Sequence, residues 1–226
     1  KESVRGVLLG GITIPERHRN LGDEHLRVAA KTTDGVGFFT SQVVYNADNA
    51  IWFLQDYHQL CLQRGINPVR VFFTFAPFGS MRTVKFMEWL GIELPLGTVK
   101  RVLSREGTKA RVMESMNICW ENWKRILDAC VRLKISVPLG FSVEAVSKSA
   151  LEQQGACTLY SSLKEQLDAY YARGTTAIDR ILAESGTYIV QTSESGSNIT
   201  KLVDRGAPAF VAYIPREDEQ KSDEQK

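Results

Sequence analysis

Gly10-Gly11-Ile12-Thr13-Ile14-Pro15-Glu16-Arg17-His18, then Gly22-Asp23-Glu24-His25-Leu26, then Phe38-Phe39-Thr40-Ser41-Gln42, is the passage whose reading decides the fold. An apolar strand delivers a charged loop that carries a histidine, a short helix crosses back, and a second apolar strand ends on a single amide. Parallel α/β barrels present functional groups in this way, at the C-terminal ends of their strands. Outward from this stretch the alternation continues. Apolar runs with β-branched or aromatic enrichment predict strands over 4–13, 36–42, 69–76 and 135–143. Between and after them, three-to-four spacing predicts helices over 23–33, 47–63, 80–91 and 109–133. The second of these carries Ala50, Phe53, Leu54, Tyr57 and Cys61 on one stripe and closes at Arg64-Gly65; the last carries Val112, Met116, Cys119, Trp123, Leu127 and Cys130. Strand–helix units in series argue for a parallel sheet with right-handed crossovers. Four such units cannot close an eight-stranded barrel, so partner strands or the C-terminal region are expected to cover the inner face.

The 226 residues are 43% hydrophobic and 24% charged, which places the chain in the ordinary globular range. Its 28 basic and 26 acidic residues are spread along the chain, and the net charge of +2 gives no field for binding a phosphate backbone, so nucleic acid is not an expected partner. No apolar run approaches a membrane span and the start lacks the order of a signal peptide, so the expected compartment is the cytoplasm. Cys61, Cys119, Cys130 and Cys157 show no CxxC spacing and lie in apolar patterns; buried thiols are expected, with neither a disulfide framework nor a metal site. Neither GxGxxG nor a Walker motif occurs. Lys1 opens almost directly onto Val4, Val7, Leu8 and Leu9 without an initiator Met, so the chain is expected to be a piece of a larger protein.

The region after the fourth strand has another character. Leu151, Leu159, Leu163, Leu167 and Tyr170 predict an amphipathic helix over 147–171. Residues 172–214 read as an α/β extension, with a helix over 175–185 and strands over 188–190 and 209–214. Residues 215–226 read as a disordered charged tail.

Several residues carry chemistry at the strand ends. The loop Glu16-Arg17-His18-Arg19 supplies three basic side chains directly after a strand, and Glu24, Arg27 and Lys31 follow at spacings of three and four, along one helix face. Such a face can reach one ligand, or it can be an ordinary solvated surface with a Glu–Arg pair. Gln42 places a donor and an acceptor at the rim; the alternative is an amide satisfied by loop backbone. Phe86 suits stacking on a flat ring or plain core. Glu144 is a carboxylate at the end of the fourth strand, a candidate acid or a partner for a neighbouring Arg.

The wording GGITIPERH, GDEHL, SQVVY, FMEWLGIELP and SVEAVS resembles the methylenetetrahydrofolate reductase family, in a bacterial branch described as reductase-like, over about Gly6 to Tyr171. The resemblance implies an α/β fold, the (β/α)8 TIM barrel, with residues 1–171 supplying its C-terminal four βα units, strands 5 to 8. It implies an FAD-dependent oxidoreductase that takes hydride from NADH or NADPH and reduces 5,10-methylenetetrahydrofolate, or a related carrier, to 5-methyltetrahydrofolate. By the same resemblance, His18, Glu24, Arg27 and Lys31 are expected to hold FAD. Gln42, Arg82 or Thr83, Phe86 and Glu144 are expected at the folate. The sequence departs from the family in two places: Thr40-Ser41-Gln42 inserts a Ser into the usual TQ, and Glu144 stands where the better-studied reductases carry an Arg. The general acid is expected upstream of Lys1, with Glu144 as the candidate within the chain. The fragment alone is therefore expected to be inactive. A homo-oligomer is compatible with this pattern. The competing expectation is a non-catalytic reductase-like barrel that serves as an assembly or regulatory module, with flavin content as the discriminator.

Overall fold

The computed structural model describes residues 8–173. In chain order they form β1 (Gly10–Thr13), α1 (Pro15–Leu21), α2 (Glu24–Thr33), β2 (Phe38–Val43), α3 (Ala47–Arg64), β3 (Arg70–Phe75), α4 (Met81–Trp89), α5 (Leu96–Leu103), α6 (Gly107–Arg132), β4 (Leu139–Val143) and α7 (Ala150–Ala172). The strands make one sheet in the order β1-β2-β3-β4, every neighbouring pair parallel. Helical connections between successive parallel strands are the only short route back to the same sheet edge. The described residues thus form a mixed α/β unit compatible with part of an α/β barrel; a closed barrel is not among them.

Side chains alternate across the sheet. Phe39, Val43, Val71, Phe73, Phe75 and Leu139 point into the helical layer, where Phe53, Tyr57, Trp123 and Ile126 complete the core. On the other face Phe38, Phe72 and Ser142 are only half covered, and Ile12 on the first strand is 67% exposed. Two glycines make room on that face. A Cβ at Gly10 would stand 2.3 Å from the Phe38 ring, and one at Gly140 would stand 2.4 Å from Phe72. The two rings meet edge to face at 5.9 Å, and the Arg70 guanidinium lies 5.9 Å over Phe72.

The structure corrects several expectations. Residues 15–21 are a helix where a charged loop was expected. Pro15 at the first helical position is preset for helical φ, and Gly22, at φ 67°, ends the helix with its N–H on the His18 carbonyl. The charges of Glu16, Arg17, His18 and Arg19 hid this helix, because a short polar segment shows no apolar period. The helix α5, opened by Pro95, was not foreseen either. Cys157 is exposed, while Cys61, Cys119 and Cys130 are buried as expected. It falls on the outer side of α7, whose inner line is Glu152, Gly155, Ala156, Leu159 and Leu163; Leu151, expected as an anchor, is also exposed. The extension expected beyond α7 and the tail over 215–226 lie, apart from residues 172 and 173, outside the described residues.

Candidate functional site

The C-terminal ends of β2, β3 and β4 form a polar rim, shaped by an irregularity in β2. Thr40 pairs with Phe72 but Val43 pairs with Thr74, so Ser41 and Gln42 together face one residue of β3. That is a β-bulge at Ser41 and Gln42. A bulge breaks ladder bonds, and side chains replace them here. The Ser41 hydroxyl accepts from the Thr74 N–H at 3.0 Å and donates to the Gln42 carbonyl at 2.6 Å. The Thr74 hydroxyl donates to the Ser41 carbonyl at 2.8 Å and lies 2.8 Å from the Ser142 hydroxyl. The Gln42 Oε1 accepts from the Val43 N–H at 3.0 Å. The amide nitrogen of Gln42 reaches out to the Leu90 carbonyl at a long 3.4 Å. Its amide is thus half engaged with backbone and half turned toward the end of α4.

The next loop carries the expected contacts of α4. Ser80 caps the helix by accepting from the Thr83 N–H at 3.1 Å. Thr83 is buried, and its hydroxyl reaches both carboxylate oxygens of Glu152 at 3.0 and 3.1 Å. Glu152, at the start of α7, also accepts from the Gly79 N–H at 2.7 Å and from the Ser147 hydroxyl. Glu152 therefore ties α4 to the loops before α4 and before α7, and among the two alternatives Arg82 is the one on the surface. Phe86 is not core: it is 42% exposed and stacks on Trp89 with centroids 5.7 Å apart and planes 17° off parallel. Arg82, Phe86 and Trp89 follow one another at helical spacings of four and three, so α4 presents a cation and two rings along one face. Glu144 closes the rim at the end of β4; the protein crowded round its carboxyl raises the pKa from the ordinary value even though much of the residue is open to solvent.

The expected flavin contacts lie around β1 and separate in the structure. Glu24 is buried, and its Oε1 accepts from the Thr13 hydroxyl at 3.1 Å and the Ile14 N–H at 2.8 Å. Lys31, seven residues on along α2, donates to the Ile12 carbonyl at 3.2 Å. Arg27 instead pairs with Asp23 through two nitrogens at 3.1 and 2.9 Å, and this pair raises the Arg27 pKa and lowers that of Asp23. His18 is turned into the helical layer, its Nε2 2.9 Å from Asp56 Oδ2. Glu24 and Lys31 thus share a face against β1, whereas Arg27 and His18 point elsewhere.

Sequence reasoning missed a cleft of about 470 Å³ lined by Glu16, Arg19, Asn46, Asn49, Glu93 and Pro95. Both Glu16 carboxyl oxygens are buried and unpaired, as is Asn49 Oδ1. Burial, helped by the charges of Glu93 and Glu24, pushes the Glu16 pKa up to about 7. Glu152 and Trp89 were missed as well; the only sequence signal was the helical spacing of Trp89 from Phe86.

The described residues thus define the class of protein as a mixed α/β unit with a parallel sheet, its polar groups collected at the C-terminal strand ends. Among solved structures it is similar to an uncharacterized protein from Clostridium thermocellum that binds two copies of 5-methyl-5,6,7,8-tetrahydrofolic acid, at 33% identity and a TM-score of 0.64. The match covers 70% of this chain and 54% of that one, so this chain spans about half its neighbour's length. No family model and no curated protein matches. No helix among the described residues is long and apolar enough to cross a membrane.

Proposed function

We propose that the chain binds a reduced folate at the rim formed by β2, β3, β4 and α4. The observation that carries this is the likeness to a folate-binding structure over 70% of the chain. The chemistry of the rim supports it. A folate has a hydrogen-bonding pterin, a flat aryl linker and an anionic tail. Gln42, Ser142 and Glu144 offer donors and acceptors for the first, the Phe86–Trp89 pair an aromatic face for the second, and Arg82 a cation for the third.

The reductive form of this reading, FAD-dependent transfer of hydride from NADH or NADPH to a methylene carrier, asks more of the chain. It needs His18, Glu24, Arg27 and Lys31 to converge on a flavin. In the structure His18 is committed to Asp56, Glu24 to Thr13 and Ile14, and Arg27 to Asp23. The proposal is therefore folate binding, with no redox step derived from it. Calorimetric titration of the chain with 5-methyltetrahydrofolate tests it. Saturable binding weakened about tenfold or more by Trp89→Ala, through loss of one stacking surface, is expected. The absence of saturable binding at millimolar ligand, in protein whose circular dichroism shows it folded, overturns it.

A further inference from the structure

We propose that His18, His25 and Asp56 form a site for one divalent transition-metal ion of the zinc class. This goes beyond the folate reading and does not rest on it. Each ligand comes from a different helix: His18 from α1, His25 from α2 and Asp56 from α3. One donor atom from each lies within 4.8 Å of the other two. The closest pair, His18 Nε2 and Asp56 Oδ2, is 2.9 Å apart, and two ligands bound to one zinc-class ion sit about 3 Å from each other.

The surroundings fit an ion better than a lone ion pair. The His18 side chain is 5% exposed, and its ring is held edge-on by His25 at 5.0 Å and Phe53 at 6.2 Å, so the first ligand is fixed by packing. The Asp56 side chain is 56% exposed, which leaves an approach from solvent and an open coordination position. His25 Nδ1 is buried without a hydrogen-bond partner, and a buried imidazole nitrogen is rarely left so. Asp56 and Asp23 both place negative charge beside His25, against the positive charge of Arg64. Two imidazoles and a carboxylate select zinc, cobalt, nickel or iron over magnesium or calcium, which prefer all-oxygen shells. The turn at Gly22 ends α1 and lets α2 start at Glu24, bringing His25 back beside His18.

The test uses the full chain freed of metal with a chelator. Titration with Zn2+ by calorimetry is expected to give one ion per chain, and Co2+ is expected to give visible absorption bands from an ordered ligand set. His25→Ala and Asp56→Asn, both at partly open positions, are each expected to weaken Zn2+ binding at least about tenfold and to abolish the Co2+ bands. His18→Ala, which empties a buried position, serves only with circular dichroism showing that it folds. No saturable binding at micromolar Zn2+, or wild-type affinity in both His25→Ala and Asp56→Asn, overturns the proposal.

Discussion

The rim at the ends of β2 to β4 and the junction of α1, α2 and α3 treat buried polar groups in opposite ways. At the rim, the hydrogen bonds displaced by the bulge have substitutes: Ser41, Gln42 and Thr74 exchange them among themselves, and Glu152 closes the next loop with Gly79, Thr83 and Ser147. Around α1, several side chains keep at least one buried polar atom without a partner. Among the described residues, the buried side-chain atoms without a partner fall on Glu16, His18, Asp23, Glu24, His25 and Asn49, with Gln166 as the one residue elsewhere. A buried polar atom without a partner costs roughly 1–3 kcal/mol, whether a substitution strands it, as at the rim, or it is already unpaired, as around α1. Substitutions should therefore have opposite signs in the two places.

The largest effect is expected at Glu152. Glu152→Ala strands the Gly79 N–H and the Thr83 hydroxyl in the interior and should destabilise by about 3 kcal/mol, read as a lower urea midpoint; an unchanged midpoint would break the contrast. Glu16→Gln should act the other way. The folded pKa of about 7 stands above the usual 4.5, so the contribution of Glu16 is fully present below pH 4.5 and is lost as pH rises through 7, by up to about 3 kcal/mol. The variant should lose this slope and be the more stable protein at pH 8, as urea unfolding at pH 5 and pH 8 would show. Parallel curves for the two proteins would mean that Glu16 does not titrate abnormally.

A smaller loss, about 1–2 kcal/mol, is expected for Ser41→Ala, which leaves the Thr74 N–H of the bulge unpaired. Amide hydrogen exchange at Thr74 should accelerate with it. The smallest change in stability, within about 0.5 kcal/mol, is expected for Gln42→Leu, because its contacts are near the surface. Folate affinity should nevertheless drop in that variant. If stability falls and affinity holds, Gln42 is a structural amide and the rim a packing device.

The sequence resolved the frame of the sheet because its signals are local. β2 and β3 were bounded by apolar runs, and Ala50, Phe53, Leu54, Tyr57 and Cys61 all proved buried on the expected stripe of α3. Of the candidate residues, Gln42 was singled out as a polar end to an apolar strand and Phe86 by the family resemblance, and the structure shows Phe86 exposed where plain core was the alternative. Ser41 stood out only against the family resemblance, and nothing in the sequence showed the bulge there. Spacing put Glu24, Arg27 and Lys31 on one face; it could not show that Asp23 would draw Arg27 away, nor that His18 would turn inward to an aspartate 38 residues on.

Periodicity along the chain thus marked the buried stripe of α3 and the apolar strands, and strand–helix alternation the parallel sheet, because burial of an apolar stripe is a property of a single segment. Partner choice across segments was decided only by the tertiary structure. Glu152 on Gly79 and Asp56 on His18 depend on where helices come to rest on the sheet. A polar side chain is paired by whatever lies within about 3 Å of it, whatever its distance in sequence.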